Sequence, residues 1–227
     1  MRYIPEMGRI RIAIDGPAGV GKSTIARLLA ERLGYLYIDT GAMYRALTLV
    51  SIEEGIPPED GNALAERLRD LDIRLEHKDI YIDDRNISAA IRKPDVDALV
   101  SQVCAHPEVR REMVRRQREM AAAGGVVMEG RDIGTVVLNG AELKLFLTAS
   151  PRIRAIRRAG QLDRAGIDYD LDKLEQEIVE RDRKDSTRVD SPLKQADDAI
   201  LIDNSNEILD ETLERVVRLA EEHGAQL

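Results

Sequence analysis

The residues from 16 to 24, GPAGVGKST, carry the clearest chemistry in the chain. Gly16, Gly21, Lys22 and Ser23 stand at the spacing G-x-x-x-x-G-K-[S/T], with Pro17, Ala18, Gly19, Val20 and Thr24 completing the loop. Glycines let successive backbone N–H groups turn inward, and a following helix adds partial positive charge at its N-terminus. Such a loop cradles a polyphosphate. At these positions a lysine reaches the terminal phosphates of a nucleotide and a serine hydroxyl takes Mg²⁺. The flanks agree. IRIAID at 10–15 is β-branched and alternating, as a buried strand requires. IARLLAERL at 25–33 has apolar residues at 25, 28, 29 and 33, as an amphipathic helix requires.

A phosphate-binding loop does not say where the phosphate goes. Three other segments bear on that. DTGAMYR at 39–45 puts Thr40, Tyr44 and Arg45 at the head of a helix. EGRDIGT at 129–135 puts Arg131 and Asp132 at a strand end. ERDRKDSTR at 180–188 puts Arg181, Asp185 and Arg188 at i, i+4 and i+7, one face if the segment is helical. Each has an ordinary structural explanation. Arg181 and Asp185 alone would be a surface pair worth a few tenths of a kcal/mol. Tyr44 alone would be core, Asp132 alone a helix cap, and Arg110, Arg111, Arg115, Arg116 and Arg118 a solvated helix face.

The elements that must position these residues alternate. A strand at 35–39 follows the helix stop at Gly34, and a helix then runs from the Thr40–Gly41 turn to Gly55, ahead of Pro57 and Pro58. A short helix falls within 62–70. Residues 72–88 alternate with period two, broken at His77–Lys78 and Asp83–Asp84, and predict a small antiparallel meander. Pro94 and Pro107 each begin a helix. A buried strand running into a glycine-rich turn is predicted over 126–134, strands at 143–150 and 199–203, and helices from Pro151, over 171 to about 184 with Leu171, Leu174, Ile178 and Val179 on one side, and over 207–222. The sum is an α/β fold with a mostly parallel sheet and helices on both faces. Ligands of such sheets bind at the carboxyl ends of the strands, where residues 15–23, 39–45 and 129–134 lie.

Composition bounds the rest. The chain has 227 residues, 43% hydrophobic, enough for one domain with an insertion. No run is long enough to span a membrane, and residues 1–10 read as a short tail without a signal-peptide core. One cysteine, Cys104, allows no internal disulfide and fits a cytoplasmic setting. A net charge of −8 argues against nucleic acid as a partner. Yet 27 of the 34 basic residues are arginine, the better fork for phosphate oxygens. Nothing demands more than a monomer. The rival readings are a kinase of another small acceptor, a guanine-nucleotide switch and an ATP-driven assembly protein; neither the N-K-x-D segment nor the D-x-x-G strand end of such switches is found, and no second ATPase signature appears.

The combination of SQVCAHPEVR, EGRDIGTVV and ERDRKDSTR, with a β insertion before it, resembles the bacterial cytidylate kinases from about residue 10 to 202. These belong with the P-loop nucleoside monophosphate kinases. The resemblance implies one kinase domain over 1–227, with a nucleotide-binding insertion at 70–98 and a lid at 154–170. It implies ATP with Mg²⁺ as donor and CMP or dCMP as acceptor. Residues 16–24 would hold the donor phosphates, with Arg157 and Arg158 in the lid above them. Arg45, Arg131 and Arg188 would grip the acceptor phosphate and the charge that builds during transfer. Thr40, Tyr44, Arg181 and Asp185, with Gly130, would surround the acceptor sugar and its phosphate. Ser101, Arg110 and Asp132 would read cytosine. Thr40 and Glu129 depart from the serine and aspartate common there but keep the functional group, and Ser23 replaces the glycine of some members.

The base reading is chemically sound. A carboxylate accepts from cytosine N4, and a guanidinium donates to the ring nitrogen and carbonyl. Uracil reverses that pattern and would oppose two acceptors. No general base is needed, because a phosphate with its second pKa near 6 is largely a dianion at pH 7.

Overall fold

The computed structural model describes residues 9–76 and 79–226. The expected tail up to residue 8 and the break at His77–Lys78 lie outside the described residues. In chain order the elements are β1 (Arg11–Asp15), α1 (Lys22–Leu33), β2 (Leu36–Asp39), α2 (Thr40–Glu54) and α3 (Gly61–Asp70). Three short strands follow, β3 (Ile73–Glu76), β4 (Asp79–Ile82) and β5 (Arg85–Asn86), then α4 (Pro94–Val103) and α5 (Pro107–Met120). The last part holds β6 (Val126–Gly130), β7 (Leu143–Thr148), α6 (Pro151–Ala165), α7 (Leu171–Ser186), β8 (Ile200–Asp203) and α8 (Leu209–Glu222).

The central sheet has the order β2-β6-β1-β7-β8, and every pair in it is parallel. Its strands are apolar on both faces because helices cover both. Along β1 the alternation is plain. Ala13 joins the core beneath α2 to α5, while Ile12 and Ile14 join the core beneath α1 and α8. β3, β4 and β5 form a separate antiparallel sheet, packed against the first of these cores through Ile73, Ile80 and Ile82. Register brings Asp15 beside Gly130 and Asp39 beside Glu129, so the carboxyl ends of β1, β2 and β6 make one rim.

Local sequence explains most boundaries. Asp39 caps α2 by accepting from the Ala42 N–H at 2.8 Å, and Asp170 caps α7 through two backbone N–H groups. Gly34 and Gly55 close α1 and α2. Three expectations need correction. First, α7 ends before Arg188, so Arg188 does not share a helical face with Arg181 and Asp185. The Asp185 carbonyl accepts from Leu193 instead of continuing the helix, and Thr187 Oγ1 folds back onto the Arg183 carbonyl. Second, Val179 is exposed, because α7 packs mainly along α6 and leaves that side to solvent. Third, β6 gives way to a turn as expected, at Gly130, but the turn is a helical one: residues Ile133–Val137 form a wide π turn. Asp15 accepts from the Ile133 and Gly134 N–H groups at its start. Arg118 donates to the Val136 and Val137 carbonyls at its end.

Candidate functional site

The donor loop leaves β1 and returns as α1. Gly16 has φ +148°, and a Cβ there would lie 2.0 Å from the Leu147 carbonyl oxygen, so no larger residue fits without moving β7. Lys22 is buried and its Nζ donates to the Pro17 carbonyl at 2.8 Å, curled over its own loop. Burial, and then the charge of Arg131, lower its pKa to about 7. A bound polyphosphate would reverse that shift, since an anion favours the charged ammonium.

Oxygen ligands gather beside the loop. Ser23 Oγ donates to Glu129 Oε1 at 2.6 Å, and the Thr40 hydroxyl donates to the Glu129 backbone carbonyl at 2.7 Å. Burial, and then the neighbouring Asp39, raise the Glu129 pKa. A hydroxyl with two crowded carboxylates is a donor set suited to a hard cation. No cluster of three or more His, Cys, Asp or Glu side chains able to hold a metal occurs among the described residues. A cleft bordered by Ser23, Tyr37 and Asp39 on one side and Ile80 and Arg92 on the other separates this corner from the small sheet.

The arginines converge on the same rim from the other side. Arg131 Nε donates to Asp185 at 2.9 Å, tying β6 to α7. Asp185 therefore pairs across the cleft and not along its own helix with Arg181. Arg45 donates to Asp97 on α4 at 2.6 Å. Arg110, expected on spacing alone at a solvated face, is buried, paired with Asp132 and 5.8 Å over the Tyr44 ring. The Nε atoms of Arg110 and Arg188 are buried and have no hydrogen-bond partner. Arg110 Nε stands 3.9 Å from Asp190 Oδ1, too far for a hydrogen bond, and both guanidinium groups lie near the Asp132 carboxylate; buried donors left unsatisfied are costly, so an acceptor on a ligand would be favoured here. Burial raises the Asp132 pKa against the opposing pull of Arg110 and Arg188, which places all three charges together.

Some expected residues stand apart. Ser101 is exposed on α4 and makes no side-chain hydrogen bond to Arg110 or Asp132. Arg158 is exposed and donates to Gln161, one turn along its own helix. Arg157 is engaged with Asn204, at 3.0 Å to its side chain and 2.8 Å to its carbonyl, and so lies against the base of the donor loop. Arg181 is exposed by surface area yet stays with the other arginines: burial, and then the charge of Arg131, lower its pKa against the pull of Asp185.

Sequence reasoning passed over several residues of the rim. Asp15 is buried beneath the π turn, and its burial raises its pKa to about 6. Asp39 and Glu129, the acidic pair beside Ser23, were visible as strand-end carboxylates but not as neighbours, which only the register reveals. Arg154 was not separable from the other arginines of α6. It is buried against the donor loop, with its Cβ 3.4 Å from where a Cβ on Gly19 would stand.

Comparison with known proteins gives a consistent result. A family model described as cytidylate kinase matches residues 12–222. A cytidylate kinase of Exiguobacterium sibiricum is 51% identical over 219 residues, covering 95% of this chain and 98% of that protein. A cytidylate kinase of Lysinibacillus sphaericus is 49% identical over 217 residues, covering 94% and 97%. Among solved structures, an uncharacterized protein from Eubacterium ventriosum superposes with a TM-score of 0.51 at 12% identity, over 94% of this chain and 99% of that one. This last likeness concerns the fold alone.

Proposed function

The chain belongs to the cytidylate kinase family, and from that premise we propose how its residues divide the work of moving the γ-phosphoryl group of ATP to CMP or dCMP. The products are ADP and CDP or dCDP. The observation that carries the acceptor side is the pair of buried Nε donors on Arg110 and Arg188 that lack a hydrogen-bond partner among the described residues, near the Asp132 carboxylate.

Residues 16–24 hold the donor phosphates, with Lys22 released from the Pro17 carbonyl to meet them. Ser23, Glu129 and Asp39 would hold Mg²⁺ with the nucleotide, and the cation would offset charge on the phosphate oxygens. Arg45, Arg131 and Arg188 take the acceptor phosphate, each leaving a carboxylate or carbonyl partner to do so. Thr40, Tyr44, Gly130, Arg181 and Asp185 line the sugar and the phosphate bound to it. Asp132 accepts from cytosine N4, and Arg110 and Ser101 complete the base contact. The insertion at 70–98 closes over CMP, and the lid at 154–170, with Arg157 and Arg158, closes over ATP.

The chemistry asks for charge neutralisation and alignment more than for proton transfer. The acceptor oxygen is already anionic, so no residue has to deprotonate it. Several guanidinium groups offset repulsion between two polyanions, and closure keeps water from competing as acceptor. UMP is a poor substrate because Asp132 would face a carbonyl oxygen, and an unpaired buried polar group costs about 1–3 kcal/mol.

The test is a panel of initial rates of ADP formation from ATP–Mg²⁺ with CMP, dCMP, UMP, AMP, GMP or no acceptor. Rapid ADP formation with CMP and dCMP, at least tenfold slower with UMP, supports the reading. A rate independent of the acceptor would overturn it.

A further inference from the structure

Arg154 has a set of partners that the division of labour above does not use. It lies on α6, 3% exposed, and its guanidinium contacts three separate segments. Nε donates to the Ala149 carbonyl at 2.9 Å, at the end of β7. One terminal nitrogen donates to the Ala18 carbonyl, in the donor loop, at 3.1 Å. Both terminal nitrogens reach Asp182 on α7, at 3.0 Å and 2.5 Å, as a two-pronged fork. Asp182 sits one residue from Arg181 and three from Asp185. Asp185 is itself held by Arg131 at the end of β6. One helix is therefore anchored at two nearby points, one tied to the donor loop and one to the acceptor rim.

A lone buried guanidinium could be explained as a structural plug. Two observations argue for more. First, it points a hydrogen bond at a carbonyl of the phosphate loop, and its stem packs beside Gly19, so it fixes the loop's curvature. Second, the same molecule offers a neighbouring α6–α7 pair for contrast. Arg152 reaches Asp172 and Glu175 at 2.6 and 3.1 Å but is half-exposed and touches no part of the loop. Helix packing alone needs only pairs of the Arg152 kind.

We propose that Arg154 and Asp182 are positioning residues for phosphoryl transfer: their fork sets the distance between the donor loop and the helix that carries Arg181 and Asp185. The inference rests on the kinase reading above. Neither side chain touches the reacting atoms. Their effect falls on alignment, to which transfer is steeply sensitive. A planar guanidinium satisfies three acceptors at fixed angles, which the single ammonium of lysine does not reproduce.

The test compares Arg154→Lys, Asp182→Asn, the double variant and Arg152→Ala with the wild-type enzyme in the CMP-dependent ADP assay. Calorimetric ADP binding and thermal melting are measured on each. Wild-type activity with CMP checks the kinase reading by itself. If the fork positions the loop, Arg154→Lys and Asp182→Asn each lose at least tenfold in kcat, while KM for CMP moves less than threefold. The double variant loses no more than the worse single one, the non-additivity of a unit. ADP affinity falls in both single variants, and Arg152→Ala stays within twofold throughout. A merely structural fork would lower melting temperature but leave kcat per folded molecule within threefold of wild type. That result, or an Arg152→Ala loss equal to the others, overturns the proposal. An inactive wild type with a normal ADP titration would overturn the kinase reading and leave the fork to be judged on ADP affinity alone.

Discussion

The two halves of the cleft are built by opposite strategies. The donor loop is local. Its nine residues are contiguous, its groups are mostly backbone, and its shape is set by glycines and by the strand and helix on either side. The acceptor wall is assembled from α2, α4, α5, β6, α7 and the segment after it, and its groups are side chains. Several of its arginines are already engaged, Arg45 with Asp97, Arg110 with Asp132 and Arg131 with Asp185. Such pairing keeps like charges apart and oriented before a dianion arrives. The donor side is thus preformed by the chain's own geometry. On the proposed division of roles, the acceptor side is held ready by carboxylates that a substrate phosphate would displace or share.

This contrast can be broken at several strengths. The strongest blow is to the acceptor cations. Arg131→Ala or Arg188→Ala is expected to cut kcat by at least 100-fold, roughly 3 kcal/mol of transition-state stabilisation, with the melting profile little changed. Steady-state rates with circular dichroism check both halves of that statement, and wild-type-like turnover in both variants would remove the convergent-arginine account. Next is the backbone. Gly16→Ala must push the Leu147 carbonyl aside and is expected to cost about 2–3 kcal/mol of stability together with most ADP affinity, read by urea unfolding and calorimetry. Asp132→Asn should then leave the donor half untouched. It is expected to lower the CMP-to-UMP ratio of kcat/KM by about 10- to 100-fold, with KM for ATP unchanged.

A subtler effect concerns Lys22, whose pKa is lowered to about 7 in the free protein. Nucleotide phosphates raise it on binding. Below pH 7 the ammonium is charged in both states and Lys22 adds no pH dependence. Above pH 7 binding must take up a proton, so ADP affinity falls as pH rises, by at most tenfold per unit. Calorimetry at pH 8 in two buffers of different ionisation heat should show that uptake, and its absence would place Lys22 charged before binding. The smallest effect is expected at Arg158, exposed and paired only with Gln161. Arg158→Ala should raise KM for ATP by less than threefold in steady-state assays.

The same contrast explains what the sequence could and could not say. The donor loop was legible because motif, strand and helix are neighbours in the chain. The alternation of strands and helices, and the antiparallel insertion, were legible from periodicity. The acceptor wall was not legible from spacing. Arg110 stands in an arginine-rich stretch, and only tertiary packing buries it while leaving Arg111 outside. Arg188 would share a helical face with Arg181 and Asp185 only if 180–188 were one helix, and α7 ends at Ser186, where the Leu193 N–H donates to the Asp185 carbonyl. The π turn depends on Asp15 and Arg118, distant in sequence, and no local pattern announces it. Arg154 looked like its neighbours on α6 until its three carbonyl and carboxylate partners were in view. What reached Arg110 and Arg188 at the sequence level was family resemblance, and for Ser101 that resemblance has no counterpart in a contact.

The central claim is that the phosphate held by the donor loop passes to the phosphate of CMP. The most direct measurement is ³¹P NMR of ATP, CMP and Mg²⁺ with a catalytic amount of the protein. The account predicts that ADP and CDP signals grow together in equal amounts, with no rise in inorganic phosphate until the mixture reaches equilibrium. Inorganic phosphate rising with ADP while CMP stays intact would contradict it.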